Sequence, residues 1–317
     1  MLLVVAAAGL TGLRSLTDRY GGSVTTDQLL APDARGDRNG GVTGPLNYLL
    51  IGSDLRASNP DAGQRADSIL IVHVPAGLDR AYLVSVPRDL LVQIPADPAA
   101  GYSGGTDRIN AAFQFGNAGA SGAKLLSATV TLFTGVRFDG AAILDFSGFR
   151  RVIDLIGGVE MCVDSEVRSI HTGHLFTTGC QQMDGARSLD YVRQRYDLPN
   201  GDYDRQRHQQ QLLKAILQKV DLGGLVTQPV KLDQLIRAVG ASFTVDTGGV
   251  PVEDLAFALR GLRPETLLGV QMPAHAQDVA GSSYSMLDPA ADSLFGALRQ
   301  AGMRDWTTRN PNWVNRL

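Results

Sequence analysis

Between Tyr191 and Gln211 the chain reads YVRQRYDLPNGDYDRQRHQQQ, gathering Arg193, Arg195, Arg205 and Arg207 among acidic residues. Forked guanidinium groups at this density suit a compact anion such as a phosphate, a pyrophosphate or a carboxylate. The competing reading is a solvated helical face, on which Arg193 and Arg195 pair with Asp197, Asp202 and Asp204. The formal net charge is −3, with 29 Lys and Arg against 32 Asp and Glu. A nucleic-acid binder needs a broad basic surface instead. No helix-turn-helix pattern is present either, so no nucleic-acid partner is expected. The arginine cluster is local.

Three further segments place chemistry at the ends of apolar runs. LLIGSDLR carries Gly52, Ser53, Asp54 and Arg56; RADSILIV opens with Asp67; SVPRDLLV breaks at Pro87, Arg88 and Asp89. Strand ends in α/β sheets are where ligands bind, because backbone and side chains converge there on a crevice. Taken singly, an Asp in such a place is more often a turn or cap residue. Ser53 and Ser85 lack a placed His and Asp, which argues against a serine hydrolase. His171 and His174 have a metal-like spacing but sit in a polar stretch between the two cysteines, and read as loop.

These residues need elements to hold them. A chain of 317 residues with 44% hydrophobic content has a full core and room for one large domain. From Leu46 the runs NYLLIG, DSILIVHV, AYLVSVP and LLVQIP have the length and β-branched content of strands covered on both faces. Helical patterns follow in SGAKLLSATVTLFTGV, DFSGFRRVIDLIGG and DYDRQRHQQQLLKAILQKV. In the last of these Leu212, Leu213, Ile216, Leu217 and Val220 form an apolar stripe, while Arg205 and Gln209, four apart, share another face. Arg193 and Arg195, two apart, project to one side only where the backbone is extended. The helix beginning at Ala186 is therefore expected to end near Tyr191. The C-terminal third adds two amphipathic helices and a strand, with a loose tail after Gln300.

The start, MLLVVAAAGLTGL, is apolar for about a dozen residues, short of the roughly 20 that span a bilayer. A shortened signal, the outer end of a transmembrane anchor and a buried helix all fit. The polar, Gly-rich stretch DARGDRNGGVTGP that follows favours the anchor. The expected organisation is an anchor remnant over 1–13, a linker over 14–44 and one α/β domain over 45–317. Cys162 and Cys180 are the only cysteines. Two buried thiols would fit, but a pair bracketing a loop favours a disulfide, which persists in an oxidising compartment.

In order, GSDLR, RADS, SVPRD, DRINAAF with an Asn-Ala-Ala turn, RQR, and a Gly-Asp stretch leading to Arg205 and the glutamines resemble the LytR-CpsA-Psr family of cell-wall glycopolymer transferases, of the actinobacterial type. The resemblance runs from about residue 45 to 300. It implies a single α/β domain with a mixed sheet between helices, membrane-anchored and facing the outside of the cell. It implies a polyprenyl-pyrophosphate-linked glycan donor, arabinogalactan in mycolic-acid bacteria, and a peptidoglycan acceptor joined through a phosphodiester to the muramic acid 6-hydroxyl.

Carried onto this chain, the resemblance makes Asp54 and Asp67 the Mg²⁺ ligands and catalytic acids. It puts Arg88, Arg193, Arg195 and Arg205 on the pyrophosphate, with Arg88 also catalytic, Gln209 a further polar ligand and Arg56 in the same first motif. Arg108 stands where many relatives carry Lys, and His208 where many carry Arg. A pyrophosphate being cleaved gathers charge on the leaving phosphate, so fixed cations beside metal-binding acids are the expected apparatus. Hydrolysis of the same pyrophosphate, and non-catalytic carriage of a polyprenyl phosphate, are the rival activities. Helices rich in Leu, Phe and Ile line either a prenyl slot or simply the core.

Overall fold

The computed structural model describes residues 25–37, 42–53, 64–219, 243–250, 254–255, 258–315 and 317. Asp54, Arg56, the apolar start over 1–13, Val220 and most of the two helices expected in the C-terminal third lie outside these. Among the described residues no helix is long and apolar enough to cross a membrane.

The strands in chain order are β1 (Thr25–Thr26), β2 (Leu46–Ser53), β3 (Ala66–Val74), β4 (Ala81–Val86), β5 (Leu91–Ile94), β6 (Gly105–Arg108), β7 (Gly140–Asp145), β8 (Val159–Val163), β9 (Val167–Arg168), β10 (Leu175–Phe176), β11 (Gly179–Met183), β12 (Phe243–Asp246), β13 (Leu267–Gln271), β14 (Ala274–Val279), β15 (Ser282–Leu287) and β16 (Val314–Asn315). The helices are α1 (Ile109–Phe115), α2 (Gly119–Thr134), α3 (Phe146–Leu155), α4 (Gly185–Arg193), α5 (Asp202–Lys219), α6 (Ala290–Arg299) and α7 (Met303–Arg309).

The expected mixed sheet between helices is present: eight strands in the order β1-β12-β7-β2-β3-β4-β13-β16. β2 runs parallel to β7 and β4 parallel to β13, while β3 is antiparallel to both β2 and β4. The carboxyl ends of β2, β7, β4 and β13 and the amino end of β3 therefore share one edge. Alternation along the pleat divides the sheet's two faces. Leu49, Ile51, Ile69 and Ile71 point into the larger core with Phe113 of α1, Leu126 of α2 and Leu294 of α6. Leu50, Gly52, Ser68 and Leu70 point the other way, toward α3, α4 and α5. Those helices carry a second core with Phe149, Ile153, Tyr191 and Leu212. α4 starts with Gly185 because a Cβ there would stand 2.2 Å from the Arg150 carbonyl of α3, so the two helices meet backbone to backbone.

Cys162 and Cys180 face each other directly across the antiparallel β8–β11 pair and form the disulfide.

Four expectations are corrected. The linker expected over 14–44 already belongs to the fold from Thr25: β1 pairs with β12, and Leu29, Leu30 and Ala34 are buried in the larger core. The tail after Gln300 is packed, since Trp306 of α7 is buried and β16 pairs with β13. The Asn-Ala-Ala segment is the first turn of α1 rather than a turn between elements. α4 ends at Arg193, two residues later than expected. Gln194 extends that helix by closing its last turn, donating from Nε2 to the Asp190 carbonyl at 2.8 Å and to Asp190 Oδ1 at 2.9 Å.

Candidate active site

At the shared sheet edge Asp67, the second residue of β3, meets Arg88, which follows β4 after Pro87. Arg88 Nη1 donates to Asp67 Oδ1 at 2.6 Å, and the two side chains are only 16% and 26% exposed. Asp89 Oδ2 lies 3.5 Å and Asp202 Oδ1 3.7 Å from Arg88 Nε. Burial works against the Arg88 charge, but Asp67, Asp89 and Asp202 outweigh it and raise its pKa above the ordinary value. That Nε has no hydrogen-bond partner among the described residues. Arg88 is thus a fixed cation at the hub of three carboxylates.

α5 supplies the next layer. Its first residue, Asp202, sits where a helix favours negative charge. It accepts from Arg205 Nε at 2.8 Å and Gln206 Nε2 at 3.0 Å. The expected common face of Arg205 and Gln209 is realised on two consecutive residues of β3: Arg205 Nη1 donates to the Asp67 carbonyl at 2.7 Å, and Gln209 Oε1 accepts from Ser68 Oγ at 2.8 Å. Arg205 is buried, and its fork is occupied by Asp202 and the Asp67 carbonyl. It holds the start of β3 rather than presenting a free fork to a ligand.

The remaining arginines divide. Arg108 reaches Asp89 Oδ1 at 3.4 Å and so joins the hub. Arg193, at the end of α4, lines a cavity with Ser68 and Gln209. Gln194 has an extended backbone, as the spacing of Arg193 and Arg195 demanded. Arg195, however, turns to Tyr196, donating from Nη2 to its hydroxyl at 2.8 Å with the guanidinium 4.7 Å from the ring centre. Arg207 lies outside the site. It pairs with Asp204 at 3.0 Å and with Asp164, tying α5 to the end of β8. His208 is likewise no anion ligand. It is fully buried, stacked on Tyr191, and a hydrogen bond with it lowers the Asp164 carboxyl to about 2, helped by the charges of His208 and Arg207. Asp202 and Asp204, which the competing reading gave to Arg193 and Arg195, pair with Arg205 and Arg207.

Ser68, Arg193 and Gln209 form the polar rim of a cavity otherwise walled by Leu50, Leu70, Leu144, Phe149, Leu189, Val192, Leu212 and Leu213, with about 630 Å³ of empty space out to its open mouth. Its walls suit a hydrocarbon. Sequence reasoning named the helices around it but not the wall, because Leu50, Leu70 and Leu144 read as ordinary sheet residues. It also missed Asp89 and Asp202 as partners of Arg88. The signal was available: both acids neighbour an arginine within three positions.

Asp67 offers its second carboxylate oxygen, which accepts no hydrogen bond among the described residues. The described residues contain no cage of three or more metal-ligating groups. Mg²⁺ needs none, since it keeps waters and takes one or two carboxylates beside substrate phosphates. Asp67 therefore fits the expected ion, whereas Asp54, its expected second ligand, lies outside the described residues.

A mixed α/β sheet with an arginine-carboxylate hub at its carboxyl edge stands beside an apolar cavity lined from the next residue of β3. The chain belongs to the LytR_cpsA_psr family, whose model matches residues 19–300. It is 32% identical over 272 residues to a probable cell wall biosynthesis protein, LcpB, of Corynebacterium glutamicum, covering 81% of this chain and 62% of that protein. It is 31% identical over 176 residues to the polyisoprenyl-teichoic acid–peptidoglycan teichoic acid transferase TagU of Enterococcus faecalis, covering 56% and 54% of the two chains. The chain thus spans less than two thirds of these relatives. The crystal structure of Bacillus subtilis TagU shares the fold, with a TM-score of 0.58 at 21% identity over 81% of this chain and 96% of that one.

Proposed function

We propose that this protein is a phosphotransferase that moves a polyprenyl-pyrophosphate-linked glycopolymer onto peptidoglycan. The observation that carries the reading is the apolar cavity rimmed by Ser68, Arg193 and Gln209, next in the chain to the Asp67–Arg88 pair. A prenyl chain in the cavity sets its pyrophosphate at the sheet edge, where Arg88 and Arg108 are already fixed and need no reorganisation as charge develops. The names of the relatives, a cell wall biosynthesis protein and a teichoic acid–peptidoglycan transferase, support the same donor and acceptor classes. On the likeness to the corynebacterial relative, the glycopolymer we propose is arabinogalactan.

In this reading the acceptor 6-hydroxyl attacks the phosphorus that bears the glycan. A new O–P bond forms there, the bridging P–O bond to the prenyl phosphate breaks, and the prenyl phosphate leaves with the electron pair. The hydroxyl proton passes to a carboxylate, and Asp67, with its unengaged oxygen, is placed for that role. Asp67 and Asp54 would hold Mg²⁺, which would supply neutralisation of the phosphate charge. Arg88 and Arg108 bind and orient the pyrophosphate, and Arg205 keeps Asp67 in place from below. Arg193 and Gln209 meet the junction of head group and tail, and Arg195 and Arg56 are further anion contacts assigned on the family resemblance alone. Water in place of the sugar hydroxyl makes the same site a pyrophosphatase. The domain works outside the cell, tethered to the membrane through its N-terminal segment. The cavity by itself fits a polyprenyl-phosphate carrier equally well, and turnover separates the two.

The test supplies a lipid-linked glycan donor and peptidoglycan fragments, and follows phosphorus by NMR. A phosphodiester signal that grows with enzyme and with Mg²⁺ is expected. Tight donor binding with neither phosphodiester nor free phosphate formed establishes the carrier instead.

A further inference from the structure

The β14–β15 hairpin stands largely in solvent, with His275 through Val279 exposed, yet its inner contacts converge on the hub. Its base is held by Tyr203 of α5, whose hydroxyl donates to the Ala274 carbonyl at 2.7 Å. Ser285 N donates to the Asp89 carbonyl at 2.9 Å. Arg108 Nη2 donates to the Ser283 carbonyl at 3.1 Å, and the guanidinium lies 4.5 Å from the centre of the Tyr284 ring. Arg108 Nε meets Asp89 at 3.4 Å. Its other terminal nitrogen, Nη1, has no partner among the described residues. The hairpin therefore fixes the Arg108 fork on two sides and leaves one donor open.

We propose that Tyr284 is a positioning residue of the anion site: its ring, with the Ser283 carbonyl, holds Arg108 flat so that the open nitrogen meets a phosphate oxygen. This rests on the pyrophosphate reading above and deepens it. A planar guanidinium can stack on the ring while bonding Asp89 and Ser283, whereas an ammonium in its place has no plane and no fork. Arg108 and Tyr284 are thus a matched pair, and the C-terminal hairpin is part of the donor site.

The test is titration of the whole chain with inorganic pyrophosphate and Mg²⁺ by calorimetry, beside a thermal melt of each variant. Tyr284→Leu is expected to weaken binding about five- to tenfold, the scale of a partly desolvated cation–π contact, and Tyr284→Phe to restore it. Because Tyr284 acts through Arg108, Tyr284→Leu should add little in an Arg108→Lys background. Should Tyr284→Leu fail to fold, Arg108→Lys alone, which leaves the ring in place, is expected to show the same loss. Wild-type affinity in folded Tyr284→Leu, or an equal loss in both backgrounds, overturns the inference. The pyrophosphate reading is tested apart by Arg88→Ala: loss there with normal Tyr284→Leu sinks only the hairpin's role. No binding by the unsubstituted protein sinks both.

Discussion

Asp67 and Arg88 are each ordinary residues at strand ends, and what distinguishes them is the company folding gives them. Arg88 keeps its charge in a half-dry place because three carboxylates surround it, which is how a site holds a cation ready for an anion without rearranging. Away from the site, His73 shows the opposite case. It is fully buried on β3, its Nδ1 meets Asn47 Oδ1 at 2.8 Å, and its Nε2 has no hydrogen-bond partner among the described residues. Burial lowers its pKa from 6.5 to about 4. The unfolded chain therefore binds a proton between those values that the folded one refuses. Stability from this residue is complete above about pH 6.5 and falls, by up to about 3 kcal/mol, as pH drops toward 4. Urea unfolding at pH 7.5 and 5 should show the loss, and His73→Gln should flatten it. An unchanged slope in the variant would assign the loss elsewhere.

At the scale of elements, α5 does the most work, since one helix carries the Arg205–Gln209 face to β3, the Arg207–His208 face to β8 and Leu212 to the second core. Its Arg205–Gln209 face was legible as i, i+4 spacing, and so were the four strands from Leu46, because period and length are local signals. The site acids could be read only beside their chain neighbours Arg88 and Arg205; the pairing of Asp202 with Arg88, more than a hundred positions away, leaves no local trace. The hairpin β14–β15 escaped for a related reason: its residues alternate too weakly in polarity, and its purpose lies in Arg108, far off in the chain. His208 also needed the structure. It stands where many relatives carry Arg, but the helix turns it inward, where it is buried against Tyr191.

The β8–β11 pair invites a direct check. Its disulfide joins residues 18 apart, and closing such a loop contributes about 3 kcal/mol in the chain-entropy account. Cys162→Ser/Cys180→Ser should unfold at correspondingly lower urea. An unshifted midpoint would show that the second core alone fixes this region.

For the molecule as a whole, two cores on opposite faces of one sheet leave a cavity on the second face and bring five strand ends, Arg88 and the start of α5 to one edge. Fold class and family were readable from ordered motifs, whereas the cavity is a property of packing that no motif spells. Its use is open to test by narrowing it. Leu144→Trp, on the cavity wall, should weaken binding of a long polyprenyl pyrophosphate at least tenfold while leaving inorganic pyrophosphate unaffected, a split expected of roughly 1.4 kcal/mol or more of lost apolar contact. Equal affinity for the long lipid would place its tail elsewhere.

The most direct test of the account is phosphate release from geranyl pyrophosphate by the purified chain, with and without Mg²⁺, beside Arg88→Ala and Asp67→Ala. We expect Mg²⁺-dependent release that falls by about 100-fold or more in both variants while their melting curves stay cooperative. Release that survives in folded Arg88→Ala and Asp67→Ala would contradict the assignment of the chemistry to this sheet edge.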